Sequence, residues 1–143
     1  MTQETCLNKQ ERVIQSFSSC KSSEEIYKKI IYYGQNLPKF SSENKIQENL
    51  VKGCQSQTYL FGEIKKDNLI TFYAFSEAFI SSGIAYLFLK VYSEEDPETI
   101  LTCPPLFFEK LNLSSLLSPS RSNGALSFHL KIKQIATKFL IKQ

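Results

Sequence analysis

The fold is decided by the stretch TYLFGEIKKDNLITFYAF at residues 58–75. Its two runs, 58–64 and 69–75, are rich in β-branched and aromatic residues, and the polar segment 65–68 separates them. This pattern is typical of a β-hairpin. The next run, 77–92, is apolar on nearly every side, which predicts a helix buried at the centre of the domain. Ser76 is its expected N-cap, with Glu77 in the first turn.

Helices are predicted on both sides of this centre. Val13, Ile14 and Phe17 indicate a short first helix, and Ser22 with Glu25 forms a capping box for a second helix that Gly34 closes. Asp96 and Pro97 are the typical cap and first residue of another short helix. The break at 103–105 follows, and then a helical turn or two at 106–111.

The last predicted helix follows a loop at 118–124. Its apolar stripe consists of Ala125, Phe128, Ile132, Ile135, Ala136 and Phe139. The predicted fold class is therefore α+β, with a small antiparallel sheet, a hairpin at about 57–75, covered by helices. The 143 residues fit a single domain, 1–143, in which the polar residues 1–9 form a disordered tail.

Charge and hydropathy exclude several classes of function. The net charge is only +3 and is dispersed along the chain, which disfavours a nucleic-acid partner. The apolar run at 79–92 is interrupted by small polar residues and Lys90, and it is shorter than the roughly 20 residues of a membrane span. No signal or transit segment is recognisable at the start, so we expect a cytoplasmic protein with no membrane contact.

Four cysteines stand at 6, 20, 54 and 103 with no two-residue spacing, and His129 is the only histidine, so no metal site is predicted. Without a signal peptide, a disulfide framework is not expected either. Cys6 lies in the predicted tail, Cys20 follows a helix and Cys103 precedes two prolines, which favours structural or incidental roles for all three. His129 is expected to be solvated or packed at an edge, and it is not a good candidate for a base.

Cys54 is the best candidate for chemistry because it lies where a polar connection meets a strand. Gly53 precedes it and Gln55, Ser56 and Gln57 follow, a setting typical of an accessible loop. From these residues alone, a reactive thiol and a buried inert one both remain open. The Ser-rich segment 118–124 also has two possible interpretations. With Arg121 it could bind an anion at a helix start, or it could be an ordinary turn in which Ser122 or Asn123 caps the next helix.

Three blocks together resemble the SufE/CsdE family of sulfur acceptors. They are YYGQNLP at 32–38, VKGCQSQTYL at 51–60 and LSPSRSNG at 117–124, in the family's order. The resemblance runs from about residue 10 to 140. This chain departs from the family pattern at Phe75-Ser76-Glu77-Ala78, where one of two acids is lost, at Leu116, where a histidine is common, and at Tyr59, where tryptophan is common.

The resemblance implies a SufE/IscU-like fold and a persulfide relay through Cys54. A pyridoxal-phosphate cysteine desulfurase of the SufS/CsdA type would load the thiol, and a SufB-like iron–sulfur scaffold or another acceptor would receive the sulfur. The protein would need no cofactor of its own and would not be a stand-alone desulfurase. The residues expected to support Cys54 are Gly53, Gln55, Ser56, Gln57, Glu77, Ser120, Arg121, Asn123 and Gly124.

Arg121 and Glu77 are expected to have opposite effects on the ionisation of the Cys54 thiol. Arg121 would raise the thiolate fraction of Cys54 if the fold brings the two together, and Glu77 would lower it unless it pairs with Arg121.

Two other classes of function remain as alternatives: a non-covalent adaptor that stimulates a desulfurase, and a thiol-dependent enzyme such as a peroxidase. A relay must both hide and present its persulfide, so we expect a mobile Cys54 loop.

Overall fold

The computed structural model describes residues 5–142. Seven α-helices and one two-stranded sheet follow one another along the chain, with short 3-10 turns at Ser42–Asn44, Gln47–Asn49 and Lys66–Asn68. In chain order the elements are α1 (Cys6–Gln15), α2 (Ser23–Gly34), β1 (Thr58–Ile64), β2 (Ile70–Ser76), α3 (Phe79–Tyr92), α4 (Pro97–Thr102), α5 (Leu106–Lys110), α6 (Leu113–Leu116) and α7 (Pro119–Ile141). The α+β prediction is confirmed.

The predicted hairpin is present, and its two faces differ. β1 and β2 are antiparallel in a register that runs from Thr58 opposite Ser76 to Ile64 opposite Ile70. Burial alternates along β2, with every second residue from Ile70 to Ser76 buried against the helices. On the other face, Phe40 from the preceding connection stacks on Tyr59 with ring centroids 6.2 Å apart. The polar connection at 39–48 therefore also covers part of the sheet.

Helix α3 occupies the centre, as predicted, but it begins at Phe79 with Ala78 as N-cap. The prediction that Ser76 caps it is wrong. Ser76 is instead the last residue of the β ladder, opposite Thr58, and the two hydroxyl oxygens lie 2.9 Å apart in a buried hydrogen bond. The Ser76 side chain therefore forms a hydrogen bond within the β ladder and is not the N-cap of α3.

Two glycines allow α2 and α3 to cross closely. A Cβ at Gly83 would lie 2.0 Å from the carbonyl oxygen of Ile30, and one at Gly34 would lie 2.7 Å from the backbone nitrogen of Gly83. These distances are far shorter than a carbon atom permits, so the backbones touch directly. Gly34 therefore has a packing role as well as the expected role of ending α2.

The predicted helix starts are confirmed at α2 and α4 and corrected at α7. Ser22 accepts a hydrogen bond from the Glu25 N–H, and Asp96 accepts one from the Thr99 N–H. At α7 the cap is Ser118, whose hydroxyl accepts from the Arg121 N–H at 3.2 Å, and Pro119 is the first helical residue. The expected loop at 118–124 is thus the cap and first turns of α7, and neither Ser122 nor Asn123 is the cap.

The N-terminal region differs from the expected tail. Residues 1–4 lie outside the described residues, but α1 begins at Cys6, capped by the Thr5 hydroxyl. Cys6, Gln10 and Val13 follow helical spacing and are buried, while residues 7, 8, 11 and 12 are exposed. A mainly polar sequence can therefore form a docked helix because the buried stripe is narrow and its polar member, Gln10, accepts a hydrogen bond from the Phe107 N–H.

Two further expectations, one about disulfides and one about His129, are corrected by the structure. Cys6 and Cys103 form a disulfide with Cα atoms 6.5 Å apart, although no disulfide was expected. His129, expected to be solvated or packed at an edge, is buried with 9% exposure and stacks on Phe88 with centroids 5.6 Å apart. Both differences arise from long-range packing that local patterns do not encode.

Within residues 5–142, no helix is long and apolar enough to cross a bilayer.

Candidate functional site

The Cys54 loop is tied at its base and turns sharply at Gly53. The Val51 N–H donates to the Thr58 carbonyl at 2.8 Å, which closes the loop just before β1. Gly53 has a φ of +92°, a backbone conformation that favours glycine. A Cβ there would also lie 2.5 Å from the Ser127 hydroxyl oxygen on α7. Glycine at this position thus serves both the turn and the close approach to α7.

The turn directs the Cys54 side chain inward, against α3 and α7. Its Sγ lies 3.6 Å from the Gly124 carbonyl oxygen, to which the thiol donates a weak hydrogen bond. A Cβ at Gly124 would lie 3.3 Å from this sulfur, so glycine leaves space for the thiol. The thiol is consequently partly buried in the resting structure.

A cavity of about 20 Å³ adjoins the Cys54 side chain. Its walls are formed by Cys54, Gln55, Thr58, Ser81, Ile84, Ala85, Ser120, Arg121, Gly124, Ala125 and Phe128. This volume is enough for one water-sized atom and little more. α3 and α7 contribute apolar residues to the lining, whereas the loop, Ser81 and the first turn of α7 contribute polar ones.

Arg121, in the first turn of α7, connects that helix to the Cys54 loop and to α3. Its Nη1 donates to the Ser56 hydroxyl at 3.1 Å and to the Ser81 hydroxyl at 2.8 Å. A guanidinium held by neutral hydroxyls keeps its full positive charge available to the neighbouring thiol. The side chain therefore has two functions here: it fixes the loop and it supplies the local cation.

The electrostatics of Cys54 reflect competing effects. Burial is the largest and raises the pKa of the thiol above its ordinary value, while a hydrogen bond with Thr58 and the charge of Arg121 lower it. Burial wins, so the resting thiol is protonated at neutral pH. A movement of Cys54 toward solvent would remove this dominant effect and bring the pKa of the thiol back toward its ordinary value.

The structure brings most of the expected site residues together. Cys54, Gln55, Ser120, Arg121 and Gly124 line one cavity, Ser56 accepts a hydrogen bond from Arg121, and Gly53 closely approaches Ser127 on α7. This is the proximity between Cys54 and Arg121 that the sequence left open.

Three further expected residues, like Gly53 and Ser56, do not line the cavity. Gln57 donates to the Tyr59 hydroxyl at 2.8 Å and so belongs to the hairpin, and Asn123 is exposed on α7. Glu77 is also exposed, and its N–H donates to the Gln57 carbonyl at 3.1 Å. Among the described residues no ion pair joins Glu77 to Arg121, and Glu77 is not among the groups that shift the pKa of Cys54.

Sequence reasoning missed the wall that α3 contributes. Ser81, Ile84 and Ala85 line the same cavity as the thiol. A signal was present in the polar break that Ser81 makes in an otherwise apolar helix. Within the described part of the chain, no group of three or more His, Cys, Asp or Glu side chains is placed to hold a metal ion.

The fold and the site define a small α+β protein that holds one partly buried thiol beside an arginine. The family model described as "SufE: Fe-S metabolism associated domain" matches residues 11–136. The chain therefore belongs to the SufE family.

Two relatives and one solved structure show the extent of the similarity. The chain is 33% identical to "Cysteine desulfuration protein SufE" of Wigglesworthia glossinidia brevipalpis, over 91% of each chain. It is 32% identical to "SufE-like protein 1, chloroplastic/mitochondrial" of Arabidopsis thaliana over 88% of its own length, but spans only 34% of that protein. A solution structure of a hypothetical protein from Thermus thermophilus matches with a TM-score of 0.76 over 93% of this chain and 96% of that one, at 19% identity, which shows the shared fold.

Proposed function

We propose that this protein accepts sulfur as a persulfide on Cys54 from a cysteine desulfurase, stimulates that enzyme by removing its product, and passes the sulfur on to iron–sulfur cluster assembly in the cytoplasm. The observation that carries the proposal is the placement of a single loop thiol at a one-atom cavity, beside Arg121. The name of the bacterial relative, a cysteine desulfuration protein, supports the same chemistry.

The transfer step needs no outside oxidant or reductant. The Cys54 thiolate attacks the outer sulfur of a persulfide on the desulfurase, a new S–S bond forms on Cys54, and the S–S bond of the donor breaks. The donor cysteine leaves as a thiolate and takes up a proton, which balances the proton lost from Cys54. Arg121 would stabilise the negative charge on the attacking sulfur and then on the terminal sulfur of the product.

The small cavity fits the storage phase of such a relay. It adjoins the Cys54 side chain and has room for about one further atom, so the terminal sulfur could lie between Ile84, Ala85 and Phe128. In a cavity this small, a soluble thiol would have no room to reach the persulfide and reduce it. Loading then requires the loop to turn outward about its tied base. Amide exchange at 53–56 that stays as slow as in α3, even with a desulfurase present, would contradict this movement.

Mass spectrometry of the intact protein tests the proposal directly. After incubation with a cysteine desulfurase and cysteine, the protein should gain the mass of one sulfur atom, and Cys54→Ser should gain none. Cys20→Ser is the matched control because Cys20 is the other free, partly exposed cysteine. It should be loaded like the unaltered protein.

Desulfurase turnover, measured in the same incubations, distinguishes the alternative of a non-covalent adaptor. An adaptor would stimulate the desulfurase equally well as Cys54→Ser and would carry no sulfur itself. A relay to an acceptor other than a SufB-like scaffold would show normal loading of Cys54 without transfer to the scaffold.

A further inference from the structure

An open groove of about 440 Å³ lies beside the Cys54 loop. One wall is the connection at 47–52, and the other is the side of α7 from Ser127 to Gln134. Ser127 also touches Gly53, where a Cβ would lie 2.5 Å from its hydroxyl oxygen. A molecule that fills the groove would therefore contact the elements that hold the Cys54 loop.

The groove carries positive charge that the chain leaves uncompensated. Lys52 and Lys131 line it, and Lys138 follows two turns further along α7. Burial lowers the pKa of Lys131, and the charges of Lys52 and Lys138 lower it further. Across the described residues none of these three lysines pairs with a carboxylate. A bound anionic group would relieve their mutual repulsion.

One carboxylate does line the groove, but it leaves this charge in place. Glu48 is exposed, and its backbone carbonyl, rather than its side chain, accepts the hydrogen bond from the Lys131 Nζ at 2.8 Å. The hydrogen bond positions the ammonium group at the groove without neutralising it. The site thus presents a cation whose ammonium group is attached to the groove by a backbone hydrogen bond.

Exposed leucines adjoin the lysines. Leu130 lines the groove and is 52% exposed, and Leu126, one turn earlier on α7, is 59% exposed. A single exposed leucine needs no explanation, but two at helical spacing beside a cationic groove form a mixed surface. Protein interfaces commonly combine an apolar centre with a polar rim in this way.

We propose that this groove is the docking site for an acidic segment of the desulfurase, with carboxylates that meet Lys52 and Lys131 and an apolar side chain that packs on Leu126 and Leu130. This inference rests on the proposed function, because it assigns the partner surface of the same Cys54 site. The exposed leucines favour a protein over a small anion, which would leave them in water. Docking there would bring the partner against the loop that must turn outward.

Charge reversal of the groove tests the proposal. Lys52→Glu/Lys131→Glu should slow loading of Cys54 by the desulfurase at least about tenfold, and should remove the decrease in rate that salt causes in the unaltered protein. Lys66→Glu/Lys110→Glu is the matched control, since it reverses two exposed lysines outside the groove with the same change in net charge. Its loading should stay within about twofold of the unaltered rate.

Loading by glutathione persulfide separates docking from thiol reactivity, since this small donor needs no docking surface. The groove variant should react with it as the unaltered protein does. Equal loading of the groove and control variants by the desulfurase would overturn the docking proposal while leaving the relay intact. A groove variant that is equally slow with the small donor would also overturn it, because the charges would then act on the thiol itself. Failure of the unaltered protein to accept sulfur from either donor would instead overturn the proposed function.

Discussion

Arg121 holds the Cys54 loop through Ser56 and also lowers the pKa of the Cys54 thiol. Arg121→Gln removes the charge, so the pKa should rise further and the rate of alkylation at pH 7 should fall about three- to tenfold. The measurement is the pH profile of alkylation by iodoacetamide in a Cys20→Ser background. Arg121→Lys, which keeps a cation, should retain most of the rate. A Gln variant whose profile matches the unaltered protein would contradict this role.

His129 contributes to stability in a pH-dependent way. Burial lowers the pKa of His129 to about 4, and the nearby charge of Lys133 adds to this effect. The unfolded chain binds the proton at its ordinary pKa, so the contribution is complete above about pH 6.5 and is lost as the pH falls toward 4. Between pH 7 and pH 5 the loss should be about 2 kcal/mol.

A variant isolates this effect. His129→Phe keeps a ring among the surrounding aromatic side chains but cannot bind a proton. Urea unfolding at pH 7 and pH 5 should therefore show a smaller decrease for the variant, by about 2 kcal/mol. Equal decreases in the two proteins would mean that His129 is already accessible to protons in the folded state.

At the scale of elements, the crossing of α2 and α3 depends on Gly83. The Ile30 carbonyl oxygen occupies the place of a side chain, at 2.0 Å from a Cβ built on Gly83. Gly83→Ala must therefore separate the helices, and we expect a loss of about 3 kcal/mol in the free energy of unfolding. Lys90→Ala on the exposed side of α3 is the control and should change stability by less than about 0.5 kcal/mol. Similar effects of the two substitutions would argue against the close crossing.

The elements that were predicted correctly share a local cause. The hairpin, the capped start of α2 and the apolar stripe of α7 each follow from the spacing of residues within one segment. The expected caps of α3 and α7 are wrong for different reasons. Ser76 is drawn into the β ladder opposite Thr58, whereas the segment 118–124 offers several polar residues as caps and the first of them, Ser118, is the one used. Local patterns therefore identify elements better than they place the ends of those elements.

The candidate site was predictable only in part, for the same reason. The motifs at 51–60 and 117–124 nominated Cys54 and Arg121, but their proximity depends on how α7 packs against β1 and α3. The roles of Ser81 and Ile84 depend on that packing as well, and so does the burial that raises the pKa of Cys54. Long-range contacts of this kind have no signature in a single sequence.

At the scale of the whole molecule, the Cys6–Cys103 disulfide joins two distant parts of the described chain. It links α1 to the segment between α4 and α5 across a sequence separation of 97 residues. Closing a loop of this length restricts the unfolded chain, which stabilises the folded state by about 4 to 5 kcal/mol in the chain-entropy model. Because both cysteines are nearly inaccessible, at 3% and 7% exposure, small reductants should reach the bond only after local opening.

Reduction should therefore lower the stability of the whole domain rather than alter Cys54 locally. Urea unfolding of the oxidised protein should give a free energy larger by about 3 to 5 kcal/mol than unfolding with excess dithiothreitol. A Cys6→Ala/Cys103→Ala variant should respond to the reductant by less than about 0.5 kcal/mol, which controls for effects on Cys20 and Cys54. A thiol titration establishes that the bond has been reduced. Equal stability of the oxidised and fully reduced proteins would show that helix packing alone holds α1 in place.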